Sequence, residues 1–94
     1  MKEKTTIKDK IVTDYYRVLE ILYKHQITVG NKTYSPITQQ EVADILSLHK
    51  MTINAIFKEL KDDGLVIQEQ GRKRTYYLSE QAVSICKKIA QIKN

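Results

Sequence analysis

The sequence predicts a small α+β domain, mostly α, with a three-helix core, a two-stranded β hairpin and a closing helix. Three observations carry that expectation. Apolar residues recur at spacings of three and four in four separate stretches, the period of a helix that buries one face. Two β-rich runs, residues 65–70 (LVIQEQ) and 75–78 (TYYL), flank the turn Gly71-Arg72-Lys73-Arg74. Thr38, Ser79 and Gly64 stand where helix starts and ends need a hydroxyl acceptor or a left-handed backbone.

The first ten residues hold four lysines and read as a flexible charged tail, so the domain is expected to span residues 11–94. Over residues 11–24, Val12, Tyr15, Tyr16, Leu19, Leu22 and Tyr23 form a helical stripe, with Thr13 or Asp14 available as its cap. Residues 26–36 change character. Ile27 and Val29, then Gly30-Asn31, then Thr33 and Tyr34 read as a short hairpin or an irregular loop, and Pro36 keeps the chain extended before the next helix.

Thr38-Gln39-Gln40-Glu41 fits a capping box, in which hydroxyl and carboxylate each satisfy the other's backbone N–H. The helix it opens runs over residues 39–46 and is expected to bury Val42, Ile45 and Leu46, with Ala43 small enough for close helix approach. After Ser47-Leu48-His49, a second helix spans residues 50–62. Its Ile53, Ile56, Phe57 and Leu60 sit at i, i+3, i+4 and i+7 on one inward face, and Gly64 ends it. Ser79 caps a last helix, whose apolar side is read as Val83, Cys86, Ile89, Ala90 and Ile92.

Composition narrows the classes. Hydrophobic residues at 41% and charged residues at 29% are ordinary for a globular domain. No apolar run approaches the ~20 residues of a membrane span, and the charged N-terminus lacks a signal-peptide core, so a cytoplasmic protein is expected. A single cysteine allows no internal disulfide, and no Cys/His cluster has metal-ligand spacing, so no cofactor is expected. Sixteen basic against eleven acidic residues give a net charge of +5, which attracts polyanions.

Helix, short helix, tight turn, second helix, glycine and basic hairpin follow one another in the order of a winged helix-turn-helix. Such a helix pair presents its second helix to the DNA major groove, which admits one helix, while the hairpin or wing reaches to phosphates or the minor groove. Residues 37–66 (ITQQEVADILSLHKMTINAIFKELKDDGLV) and the wing exit at 74–82 (RTYYLSEQA) resemble the winged-helix bacterial transcriptional regulators, most nearly the MarR-like group. The sequence departs from that frame at His49, where the group usually caps with Ser, and at Ala82, where Gly is frequent. The resemblance implies a regulator, most readily a repressor, that binds double-stranded DNA as a homodimer. It also places base readers at Lys50, Met51, Thr52, Asn54 and Ala55.

The residues themselves add detail. Asn54 is suited to a bidentate adenine contact, and Gln39, Thr52 and Lys58 to phosphates. Arg72, Lys73 and Arg74 place three adjacent positive charges at the wing, where they neutralise phosphates or enter a narrow minor groove. The lysines of the second helix also fit a plain solvated face, and the tyrosines fit packing better than base stacking. His25 and His49 lack partner patterns, and Cys86 falls on a buried side, where thiols are inert packing. An enzyme is disfavoured by the lack of a phosphate loop or nucleophile motif. The competing readings are a winged-helix protein-interaction module and a plasmid or phage replication-associated DNA-binding protein.

Overall fold

The computed structural model describes residues 7–93, with side chains from position 13 to position 92. In chain order the elements are α1 (Ile7–Lys24), β1 (Ile27–Val29), β2 (Lys32–Tyr34), α2 (Gln39–Leu46), α3 (Lys50–Asp62), β3 (Val66–Gln68), β4 (Tyr76–Leu78) and α4 (Glu80–Lys93). This is a winged helix-turn-helix: α1, α2 and α3 form the core, β3 and β4 the wing, and α4 closes the domain against α1.

Helix α1 starts at Ile7, four residues before the apolar stripe suggested; residues 1–6, the rest of the expected tail, lie outside the described residues. Lysine and isoleucine continue a helix without an apolar stripe to advertise it. Thr13 and Asp14 consequently sit inside the helix and not at its start, and Asp14 pairs with Arg17 at 3.1 Å. The buried face is Val18, Leu19 and Leu22, with Tyr15, Ile21 and Tyr23 packed at its margins. Tyr16, expected inside, is 41% exposed; Val18 takes its place because α1 must face α3 and α4 together. Val12 lies outside the described side chains.

Residues 26–36 form a true hairpin. Ile27 pairs with Tyr34 and Val29 with Lys32, and Gly30 turns at φ 66°. The Thr38–Glu41 capping box is complete: the Glu41 N–H donates to Thr38 Oγ1 at 3.1 Å, and the Thr38 N–H donates to Glu41 Oε1 at 2.9 Å. Along α2, Val42 and Ala43 are the buried residues, whereas Ile45 is exposed and Leu46 half-buried, contrary to the apolar reading. α2 packs on α3 through its Val42 and Ala43 face, and Ile45, about 200° round the helix from Ala43, turns outward.

Both helices of the pair end in the same way. The Leu48 N–H donates to the Ala43 carbonyl and the Ser47 N–H to that of Asp44; the Leu65 N–H donates to Leu60 and the Gly64 N–H to Lys61. These are the two-bond caps that require a left-handed residue just past the helix end. Gly64 meets the requirement at φ 75°, but the tight turn uses Ser47 at φ 56°. A side chain there costs about 1–2 kcal/mol.

The wing strands pair antiparallel, Val66 with Leu78 and Gln68 with Tyr76, and are shorter than the β-rich runs that flank the turn. Of the two wing tyrosines only Tyr76 is buried. Its ring packs on Phe57, with centroids 5.0 Å apart, and its backbone exchanges two hydrogen bonds with Ser35, joining the two hairpins. Ser35 is itself buried, and its hydroxyl donates to the Leu22 carbonyl at 2.7 Å. Ser79 caps α4 by accepting from the Ala82 N–H. On α4 the core residues are Ala82 and Cys86, with Val83 and Ile89 half-buried; Ala90 and Ile92, expected on the apolar side, face outward because α4 runs past the end of the core. Among the described residues, no helix is long and apolar enough to cross a membrane.

Ser47→Gly removes the left-handed strain, at about 1–2 kcal/mol, and adds about 0.4–1 kcal/mol of unfolded-chain entropy. The expected net result is a stabilisation of about 0.5–1 kcal/mol, read as a higher urea midpoint with unchanged slope. Phe57→Ala is expected to destabilise by about 3–5 kcal/mol in the same assay.

Candidate nucleic-acid interface

The period of α3 divides its surface into three strips. Ile53, Ile56, Phe57 and Leu60 point inward. Lys50, Asn54 and Lys61 lie on the flank toward the wing, and Met51, Ala55 and Lys58 on the outer side. Lys50 and Met51 occupy the first turn, where no acidic residue stands. His49 at the N-cap gives no side-chain hydrogen bond, so the first N–H groups of α3 keep their positive end toward the outside.

On the wing side these elements enclose a groove of about 420 Å³, lined by Gln39 and Gln40 of α2, Lys50 and Asn54 of α3, and Gln68, Lys73 and Tyr76 of the wing. Four residues anticipated as DNA contacts, Gln39, Lys50, Asn54 and Lys73, are therefore brought together although they span more than thirty positions of sequence. The groove has hydrogen-bonding floors as well. The Tyr76 hydroxyl accepts from Gln39 Nε2 at 3.4 Å, which orients the amide. Lys61 Nζ donates to Gln68 Oε1 at 2.7 Å, and Gln68 Nε2 donates to the Arg72 carbonyl at 3.3 Å, tying the wing turn to α3.

The other anticipated contacts are placed elsewhere. Met51, Thr52, Ala55 and Lys58 line a second groove on the α1 side of α3, with Met51 80% exposed. Lys58 pairs with Asp62 at 3.4 Å and Arg72 with Glu69 at 3.3 Å; both pairs are exposed and easily exchanged for another anion. Arg74 is engaged differently. Its guanidinium reaches Glu41 through two hydrogen bonds of 3.2 and 3.3 Å and the Pro36 carbonyl at 3.2 Å. It braces the wing against the start of α2, while Lys73 stands at the groove. Sequence reasoning missed Gln40, Gln68 and Tyr76, which carry no charge and belong to no periodic surface pattern; only the fold brings them to the groove.

Titration reflects these contacts. The Thr38 backbone N–H outweighs the desolvation that opposes it and, with help from the Arg74 guanidinium, holds the Glu41 carboxyl below the ordinary glutamate range. Burial, the Asp63 carboxylate that accepts from its hydroxyl, and the charge of Glu59 raise Tyr15 well above a normal tyrosine. Cys86 is buried with its thiol toward the Leu19 carbonyl, and desolvation pushes its pKa up to about 11. Among the described residues, no group of three or more His, Cys, Asp or Glu side chains is arranged to hold a metal ion.

Residues 16–82 match the Crp-like helix-turn-helix domain family. The match runs from α1 through both hairpins to the start of α4. A solved structure of a ZitR double mutant from Lactococcus lactis, in apo form, has a similar fold, with a TM-score of 0.65 and 17% identity. The similarity covers 92% of this chain and 61% of that one. At this identity the likeness concerns the fold alone. No curated protein sequence matches the chain.

Two outcomes are expected. Because its folded pKa is depressed, Glu41 contributes stability at neutral pH that is lost as pH falls below the ordinary glutamate range and through the folded value. Carbon-detected NMR should show its carboxyl titrating below the other exposed glutamates, and Arg74→Gln should move it part of the way back. Cys86, buried and with its pKa raised, should react with a thiol reagent at pH 8 far more slowly in the folded protein than in urea.

Proposed function

The chain belongs to the Crp-like helix-turn-helix domain family, and from that membership we propose that it is a DNA-binding transcriptional regulator that reads double-stranded DNA with α3 and steadies itself with the wing. The observation that carries this reading is the groove shared by Gln39, Lys50, Asn54 and Lys73. It combines two cations for phosphate oxygens with two amides able to form paired hydrogen bonds. That is the residue chemistry that positions a helix on DNA and distinguishes bases there.

In this reading α3 enters the major groove by its first turns. Lys50, Met51, Asn54 and Ala55 face base edges, with Asn54 the adenine reader and Met51 and Ala55 apolar neighbours for a thymine methyl. Gln39, Thr52 and Lys58 contact phosphates on either side of α3, as Lys73 and Arg72 do from the wing. Arg74 sets the wing angle through Glu41, and reaches DNA itself only by releasing that carboxylate. The acidic end of α3, with Glu59, Asp62 and Asp63, tilts away from the backbone, which orients the helix with its basic start inward.

A domain of this size reads few bases, so we further propose a homodimer on two half-sites about one helical turn apart, acting in the cytoplasm as a repressor by covering a promoter. The finer MarR-like affiliation is supported by residues 37–66 and the wing exit. The role requires neither a cofactor nor a catalytic step.

Fluorescence anisotropy with labelled duplexes, at roughly 50 and 200 mM salt, tests the reading. Affinity is expected to fall steeply with salt. Lys73→Ala should weaken binding to all sequences and reduce the salt slope by about 0.9, one phosphate's worth. Asn54→Ala should leave the slope unchanged and cost about 1–3 kcal/mol at particular base pairs only. Failure to bind any duplex at the lower salt would replace this reading with that of a protein-interaction winged helix.

A further inference from the structure

The groove on the α1 side of α3 differs in chemistry from the one beside the wing. It is the roomier of the two, about 720 Å³ against 420 Å³, within the range that holds drug-sized molecules. Its floor is apolar: the Tyr15 ring of α1, Leu48 of the tight turn, and Met51, Ala55 and Ile56 of α3. Met51 leaves 80% of its surface open there, a large apolar side chain with no cover among the described residues. Methionine adapts its shape to whatever lies against it.

The rim is acidic. Asp14, Glu59 and Asp62 border the groove, with Lys58 the one cation among its described lining residues, and Asp63 stands just behind, accepting from the Tyr15 hydroxyl. Asp14 is shared with Arg17, and Asp62 with Lys58 in an exposed pair. Glu59 has no ion-pair partner among the described residues. The Tyr15 ring is fixed by its hydroxyl on Asp63 and by a T-shaped contact with Tyr16, ring centroids 5.2 Å apart. A fixed aromatic face, an apolar floor and a carboxylate at the rim form a receptor for an organic cation. The same carboxylates disfavour an organic anion in the groove.

We propose that this groove binds a hydrophobic organic cation of small-molecule size, and that its occupancy excludes DNA from α3. The cation lies over Tyr15 with its apolar groups against Met51 and Ala55 and its charge toward Glu59. The binding half of the proposal is independent of the DNA reading; the exclusion half rests on it, because Met51, Thr52, Ala55 and Lys58 serve both surfaces. Occupying the groove covers the outer strip of α3, so ligand and duplex compete directly and no conformational change is needed.

Two probes of matching shape and opposite charge, tetraphenylphosphonium and tetraphenylborate, test this with the full chain. Calorimetry without DNA should show the cation binding at least tenfold more tightly than the anion, and chemical shifts should move at the Met51 methyl and the Tyr15 ring. Glu59→Gln should weaken the cation about five- to tenfold and leave the anion within twofold; its DNA affinity is measured alongside, so that displacement is compared at equal duplex saturation. In anisotropy, the cation should displace duplex from the wild type at lower concentrations than from Glu59→Gln. Equal binding of the two probes, no binding of the cation, or shifts confined to other residues would overturn the site. Binding at the groove without displacement from a duplex that the protein does bind would overturn the exclusion. A protein that binds the cation but no duplex would leave the groove established and overturn the DNA reading and the exclusion with it.

Discussion

Two backbone hydrogen bonds between Ser35 and Tyr76 join the first hairpin to the wing, and the Tyr76 ring carries that junction into the core against Phe57. Each part of the domain depends on it. Ser35 anchors the junction to α1 through the Leu22 carbonyl, Phe57 ties it to α3, and the Tyr76 hydroxyl meets Gln39 at the start of α2. A two-stranded hairpin is marginal by itself in water. Here two of them share one bridge and one buried aromatic pair, so neither stands alone.

The wing is fixed at its base and free near its tip. Arg74 and Gln68 hold the two strands to α2 and α3, while Lys73 stands at the open groove and Arg72 is held only by the exposed Glu69. Positioning and contact are thus assigned to neighbouring residues of like charge. The same division runs along α3, whose start is basic and amide-bearing and whose end is acidic. One helix therefore borders two grooves that differ in charge.

Much of this was legible in the chain. The capping box Thr38–Glu41, the inward face Ile53, Ile56, Phe57 and Leu60, the Gly64 stop and the Ser79 cap are local devices, each specified within a few residues, and the structure shows them at those places. The first and last helices were read less well. Where a helix meets two neighbours, its buried face is set by the packing angles, and a stripe of apolar spacing does not say which edge is covered. Hence Tyr16 and Ile92 are exposed, while Val18 and Ala82 are buried. Ile45 is left outside for the same reason, since α3 packs on the Val42 and Ala43 face of α2.

Sequence by itself determined the kind of domain, the order of its modules and the positive charge offered at α3 and the wing, because periodicity, caps and turns act over short separations. Tertiary structure decided which charges are held and which are available. Arg72, Lys73 and Arg74 are alike as a tripeptide, yet Arg74 is fastened to Glu41, thirty-three positions away, and Lys73 is left at the groove. It also decided that Tyr15 and Glu59 would share a cavity with Met51. Contacts between residues so far apart in the chain exist only once the core has set the helices against one another, and no local pattern encodes them.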